Sequence, residues 1–400
     1  MRTITNVKGF RFWGAHTGVK SKRRDLALIY SEKPASVASL FTRNLVVAES
    51  IKVCRERENP GKARLIVINS GNANACTGKQ GYDGARAVVK AASETWNVPE
   101  EQILIASTGV IGRTFPTEKI VTGIRKNAHK LTNQRVASSL ISNAILTTDT
   151  FPKEHFLDFK VSGKPVSIGG IAKGSGMIHP NMGTMLAFIV CDIAISPEML
   201  HKALKEVTDK TFNMITVDGD TSTNDMVSVM CNGEAGNPEI TTENANYKKF
   251  KDNLLKTCMS LARLIVADGE GSTKFIEYQV NNAATEKDAR QIIRTVSDSS
   301  LVKTAIYGRD PNWGRILAAA GRAGIPFDPD KVDLHMGSRQ MVQVLRNGQP
   351  TNENLTRIKK MMRSTHIKIV LDIKAGKESA VGWGCDLSYE YVRINAEYTT

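Results

Sequence analysis

No stretch of this 400-residue chain approaches the ~18 continuous apolar residues that a bilayer span requires, and its opening run, MRTITNVKGFRFWGAHTGVK, lacks an apolar signal region. A membrane-spanning helix is not expected on these grounds, and a soluble, cytoplasmic chain is. Cysteine is also scarce. The six cysteines (Cys54, Cys76, Cys191, Cys231, Cys258 and Cys385) lie far apart, with no CxxC pair and no Cys/His cluster. Structural zinc is therefore not expected, and the thiols read as reduced and mostly buried. Lys and Arg outnumber Asp and Glu by 54 to 40, giving a net charge of +14. Yet there is no run of five basic residues and no aromatic–basic module of a nucleic-acid binder, so the excess reads as a solvated surface that helps attract anionic substrates.

What the chain does contain is layered. Four hundred residues, 41% of them hydrophobic, exceed one small core and call for two lobes or one large layered domain. Short strands are expected at 26–30 and 46–53. Residues 63–76 form a buried strand that empties into an Asn/Gly/Ser loop, followed by a helix over 83–96, and the same order recurs at 102–112 with a helix from Pro116. Two strand–loop–helix units in succession argue for an α/β architecture. A helix over 134–146 leads to a polar break at 147–152, and strands 159–161 and 166–168 turn at Ser162-Gly163. Further on come a helix opening at Pro197, a long helix over 243–266, a strand over 275–280, a helix over 286–298, strands at 302–307 and 365–373, and a closing stretch, 382–400, that alternates like a strand.

The run from Lys173, KGSGMIHPNMGTML, begins as a glycine-rich loop and becomes an apolar strand just after Thr184. A threonine hydroxyl is a poor nucleophile until a base removes its proton. If the Gly183–Thr184 bond were cut, the freed α-amine of Thr184, with an ordinary pKa of about 7.7–8.0, would be that base. Gly183 imposes little steric or conformational constraint at such a junction. Two glycine-rich alternatives read poorly. The sequence around Lys173 does not meet the GxxxxGK[ST] pattern, and the two acids in the 268–271 DGEG loop argue against an anion nest. The aspartates of FNMITVDGDTSTND, residues 212–225, lack the spaced Glu of a calcium loop and read as a structural polar turn.

These stretches together, with NSGNANACTG at 69–78, TTDT at 147–150 and GRDPNWGR at 308–315, resemble the ornithine acetyltransferase family, also called glutamate N-acetyltransferase, along essentially the whole chain. The resemblance implies a layered α-β-β-α sandwich similar to N-terminal-nucleophile hydrolases, with an additional α/β lobe. It implies self-cleavage into 1–183 and 184–400, with Thr184 the nucleophile. Thr108 and Gly109 are assigned to the oxyanion, while Thr147, Lys173, Thr184, Glu270, Asn395 and Thr400 are assigned to the substrate. The implied reaction is ping-pong transfer of acetyl from N-acetylornithine to glutamate, without metal or organic cofactor. It leaves open acetyl-CoA as a further donor and a related threonine aminopeptidase or amidase as the alternative activity. The two fragments are expected to associate, as a dimer of heterodimers or larger. One position departs from the family, which usually has alanine where this chain has Gly183.

The purified protein is accordingly expected to run as fragments of 183 and 217 residues, the second starting at Thr184, and Thr184→Ala to stay full length and inactive. N-terminal sequencing and intact mass decide this, and an uncut, fully active 400-residue chain excludes self-cleavage.

Overall fold

Residues 186–191 read LAFIVC, and all six are buried. Successive strand side chains point to opposite faces, so an uninterrupted apolar run needs cover on both. The computed structural model, which describes residues 2–56, 61–179, 185–351 and 355–397, supplies that cover. Ala187, Ile189 and Cys191 face a core shared with helices Pro197–Lys210 and Ala245–Ala267. Their neighbours Leu186, Phe188 and Val190 face a second core, shared with helices Gly78–Trp96 and Thr117–Asn127.

The first sheet contains β1 (Phe10–Ala15), β2 (Leu26–Phe41), β3 (Lys62–Asn72), β4 (Ile103–Val110), β5 (Lys153–Val161), β6 (Lys164–Lys173), β7 (Leu186–Cys191) and β8 (Met226–Cys231). Its order is β4-β3-β2-β8-β7-β6-β5, with β1 paired to β2. The pairs β3/β4 and β7/β8 are parallel and the rest antiparallel. The long β2 serves both halves of the sheet. Its residues 26–30 pair with β3 and its residues 36–41 with β8, with a register shift between Tyr30 and Ala35. The β5–β6 hairpin turns at Ser162 and Gly163, both with positive φ (48° and 76°), the backbone of a tight two-residue turn.

A second sheet forms the additional lobe. Its strands are β9 (Phe275–Ala283), β10 (Asp333–Gly337), β11 (Met341–Arg346), β12 (Gln349–Pro350), β13 (His366–Asp372) and β14 (Glu378–Cys385), in the order β12-β11-β10-β13-β9-β14. Helix Ala245–Ala267 touches β5 and β6 of one sheet and β14 of the other, so the lobes share one continuous core. The layered α/β arrangement is thus the observed one. Among the described residues no helix is long and apolar enough to cross a membrane. Five cysteines are buried and Cys76 is exposed.

Local chemistry explains where the elements begin. The Ser196 hydroxyl accepts from the Met199 N–H with Pro197 at the first helical position, and Thr285 caps helix Glu286–Ser297 in the same way. It also explains three departures from the expected elements. Residues 46–53 lead not into a strand but into helix Glu49–Arg55, where Ile51 and Cys54 are buried and Lys52 bridges Glu49 at 2.8 Å. Residues 302–307 are helical within Ser300–Tyr307. Their β-branched composition is overridden by the Ser299 cap on the Val302 N–H and by burial of Val302, Ala305 and Ile306 along one face. GRDPNWGR therefore joins two helices, with Asn312 capping Trp313–Gly321 through the Arg315 N–H. Finally, the chain leaves β14 at Cys385 and forms helix Tyr389–Glu397 instead of a closing strand. Ser388 accepts from the Glu390 N–H, and Arg393 pairs with Glu390 and Glu397 one turn to either side.

Phe188→Ala removes a fully buried ring from the middle of β7 and is expected to destabilise the fold by about 3–5 kcal/mol. The check is a lowered denaturation midpoint at unchanged denaturant slope.

Candidate active site

The parallel strands β3 and β4 end together, with Ser70 opposite Thr108 and Gly71 opposite Gly109. At Gly109 φ is +132°, and a Cβ there would lie 2.4 Å from the Gly71 carbonyl carbon, so only glycine fits. The Asn/Gly/Ser loop after β3 holds this strand end. The Ser107 hydroxyl donates to Asn69 Oδ1 at 2.7 Å, and Asn69 Nδ2 donates to the Asn72 carbonyl at 2.9 Å. Asn224 then ties in the 212–225 loop, donating through Nδ2 to the carbonyls of Ala73 (2.6 Å) and Ser107 (2.8 Å).

Lys173 ends β6 and is buried. Its Nζ donates to Thr108 Oγ1 at 3.4 Å and stands 3.9 Å from Asp149 Oδ2. Burial pulls its pKa down, and Asp149 opposes that pull. Asp149 is itself anchored by the N–H groups of Thr147 (3.0 Å) and Gly174 (2.7 Å) and by Lys153 Nζ (2.7 Å). Burial alone would raise its pKa, but Lys173, Lys153 and these hydrogen bonds hold the carboxyl well below the usual carboxylate range. Lys153, wholly buried, also bonds Asp268 Oδ2 at 2.5 Å, and Asp268 accepts from the Thr150 N–H and hydroxyl. One ammonium thereby clamps the TTDT loop to the DGEG loop.

Glu270 follows in that second loop. Its N–H donates to the Ser175 carbonyl at 2.8 Å, and its Oε2 accepts from Asn395 Nδ2 at 2.9 Å. Gly176 makes room for the carboxylate, since a Cβ there would sit 2.4 Å from Glu270 Cδ. Thr108, Gly109, Thr147, Lys173, Glu270 and Asn395 all line one cavity of about 130 Å³, a volume suited to an amino-acid-sized ligand. A cation and an anion on its walls match a zwitterion or an amino-acid derivative. Gly183, Thr184 and Thr400 lie outside the described residues. Met185, the next residue after Thr184, borders a small void with Thr108, Lys173 and Asp225, and its N–H donates to Asp225 Oδ1 at 2.7 Å. Burial pushes the Asp225 carboxyl well up.

Sequence reasoning passed over several of these groups. The polar turn at 212–225 lines the cavity with Asp218, Asp220 and Asn224. Asp218 is pushed up to about 6 by burial, against the N–H donors of Met177 (2.6 Å) and Ile178 (2.9 Å). The Asp149–Lys153–Asp268 clamp was also missed. Its one signal in sequence was Asp149 and Lys153 four residues apart, which reads as an exposed pair until both are known to be buried.

The clamp predicts an acid dependence. A carboxyl whose folded pKa lies below its unfolded value of about 3.9 contributes stability above that value and loses it as pH falls towards the folded pKa. Asp149→Asn should therefore lower the unfolding midpoint at neutral pH, with the gap to the parent protein narrowing as pH drops below about 4. Lys153→Met, which leaves the buried Asp268 without its ammonium and Asp149 with Lys173 alone, should cost about 3–5 kcal/mol at neutral pH. Thermal unfolding across pH measures both.

Residues 11–400 match the ArgJ family. The "Arginine biosynthesis bifunctional protein ArgJ" of Caldanaerobacter subterraneus subsp. tengcongensis is 47% identical over 394 residues, covering 98% of this chain and 97% of that protein. The protein of the same name from Thermotoga neapolitana is 46% identical over 396 residues, 98% and 99% of the two chains. A crystal structure of arginine biosynthesis bifunctional protein argJ from Bacillus halodurans aligns with a TM-score of 0.52 at 42% identity, covering 54% of this chain and 100% of that one. With the match running from the first strand to the last residue, the chain belongs to the ArgJ family.

Proposed function

We propose that this chain is a glutamate N-acetyltransferase of arginine biosynthesis that moves acetyl from N-acetylornithine to glutamate through an acetyl-threonine on Thr184. The observation that carries the reading is the convergence of Thr108, Gly109, Lys173 and Glu270 on one amino-acid-sized cavity, in a chain whose ArgJ relatives bear the arginine-biosynthesis name. Thr184 Oγ attacks the acetyl carbonyl, and the α-amine freed at the Gly183–Thr184 bond takes the hydroxyl proton. The proton passes to the departing ornithine nitrogen as the C–N bond breaks. Glutamate's amine then attacks the acetyl ester and regenerates Thr184. Because Lys173 Nζ donates to Thr108 Oγ1, the Thr108 hydroxyl proton is free to point at the oxyanion beside the Gly109 N–H. Lys173 suits the substrate carboxylate and Glu270 the side-chain ammonium of N-acetylornithine. Thr147, Asn395 and Thr400 complete the contacts. None of these steps calls on a metal or organic cofactor, and the cytoplasm is the expected setting.

Two observations support separate chains 1–183 and 184–400 that stay together. The whole Bacillus halodurans chain covers 54% of this one, and residues 184–400 are 217 of its 400 residues. Strand pairing also crosses the junction twice, at β6/β7 and at β2/β8.

Thr108→Ala should slow acetyl transfer by ~10²–10³, and Glu270→Gln should raise KM for N-acetylornithine with the fold intact. Steady-state assays with N-acetylornithine and glutamate measure both. Normal rates would remove these residues from the reaction, and glutamate-independent release of acetate would instead mark an amidase.

A further inference from the structure

The parallel strands β7 and β8 start side by side, with Leu186 opposite Met226, so the residues before them, Met185 and Asp225, are neighbours. Backbone hydrogen bonds lock the pair into the sheet. The Met226 N–H donates to the Met185 carbonyl at 3.1 Å, and the Asp225 carbonyl accepts from the N–H of Thr42, just past β2, at 3.0 Å. The Asp225 side chain is fixed in turn by the Met185 N–H, which donates to Oδ1 at 2.7 Å. Asp225 is buried, held on both sides and unable to turn towards water.

The second oxygen is unspent. Oδ2 is buried and has no hydrogen-bond partner among the described residues. The Thr42 hydroxyl beside it gives its proton to the Ser222 carbonyl at 2.6 Å. Neighbouring Asn224 shows the contrast, since its amide satisfies two carbonyls, those of Ala73 and Ser107. A role limited to receiving the Met185 N–H needs only a neutral amide, and a carboxyl kept out of water with an idle oxygen is costly. The charged group that faces it is Lys173. Asp225 also borders, with Thr108 and Lys173, a void of about 10 Å³, room for about one water-sized group and far too small for a substrate.

The Met185 amide nitrogen is three covalent bonds from the Thr184 nitrogen, which standard bond lengths place within about 4 Å of it. A cut at Gly183–Thr184 turns that nitrogen from a neutral amide into an amine that takes a proton near neutral pH. The continuous chain thus carries a carboxyl whose partner comes into being only with the cut. We propose that Asp225 is the positioning residue for the Thr184 α-amine: its carboxylate accepts an N–H of the amine through Oδ2 and holds the nitrogen lone pair towards Thr184 Oγ. The proposal rests on the acyl-threonine reading above. It gives a threonine and its own amine the third group that orients a nucleophile's base in other covalent catalysts. In acyl transfer the amine takes the hydroxyl proton as Oγ bonds to the acetyl carbon, and it becomes an ammonium facing the carboxylate. It then returns the proton to the departing ornithine nitrogen as the C–N bond breaks, and Asp225 itself neither gains nor loses a proton.

The test compares the parent protein with Asp225→Asn, which keeps an oxygen for the Met185 N–H and removes the charge. The readout is the pH profile of kcat/KM for N-acetylornithine, whose acid limb reports the base of the free enzyme. A carboxylate beside an ammonium raises its pKa, so removing the charge should move the acid limb to lower pH by about one unit or more. The plateau kcat should fall at least about tenfold, with KM little changed. Asp218, pushed up to about 6, titrates on the same side of the profile and is the same in both proteins. An unmoved acid limb or an undiminished kcat overturns the assignment. If Asp225→Asn stays uncut, does not fold or is too slow to profile, Asp225→Glu decides. Cutting and transfer regained with Glu, at the parental acid limb, support a role for the charge. A Glu variant that is also uncut or inactive assigns Asp225 to packing alone and overturns the proposal. Failure of the acyl-threonine reading shows separately, as absent transfer from N-acetylornithine in the parent protein.

Discussion

The Lys153 ammonium is wholly out of water and sits between two carboxylates, that of Asp149 four residues before it and that of Asp268, 115 residues further along the chain. A lone charge in that position would be prohibitively costly, so the two loops must close on it for the chain to fold. Closure orders what the site needs. Asp149, fixed by Lys153, stands beside Lys173 and receives the Thr147 N–H, while Asp268 holds the loop from which Glu270 reaches Asn395. Lys173 and Glu270, the charges that face the cavity, are thus arranged by three charges that do not line it.

This arrangement also explains why an ammonium is tolerated at Lys173. Burial disfavours its charged form, but Asp149 lies 3.9 Å away and Glu270 faces the same cavity. The cavity is therefore prepared for a ligand with both signs of charge. An ArgJ-family acetyltransferase handling amino acids needs that preparation, because the α-carboxylate and the distant ammonium of N-acetylornithine must be desolvated together.

Much of this was legible in the sequence, and the reasons are local. LAFIVC at 186–191 has no polar residue to face water, so a strand covered on both sides was the available reading, and Ser196-Pro197 announces a helix by its cap. The strand end at Thr108–Gly109 was visible because the apolar run stops there, whereas β6 continues to Lys173, past the expected strand at 166–168. Segments 46–53, 302–307 and, within the closing stretch 382–400, residues 389–397 were misread because alternating or β-branched composition was outweighed by a cap or an i,i+3 or i,i+4 ion pair, interactions too short in range to register as periodicity. The Asp149–Lys153–Asp268 clamp was illegible for the opposite reason. Asp268 lies 115 residues from Lys153, and the nearby Asp149 and Lys153 read as exposed because charged residues are surface residues by default.

The pairing of β6 with β7 has a further consequence. From Ile168↔Cys191 to Lys173↔Leu186, the two strands run antiparallel on either side of the proposed scission point. Cutting the connection leaves every ladder hydrogen bond in place, so the native state loses little. The unfolded state changes character, because one chain becomes two, and regaining the sheet becomes a second-order encounter that slows with dilution. Maturation would then work as a ratchet: folding comes first, the cut seals it, and an enzyme that unfolds afterwards has no unimolecular route back. Its lifetime would be set by the barrier to unfolding and not by the depth of the native well.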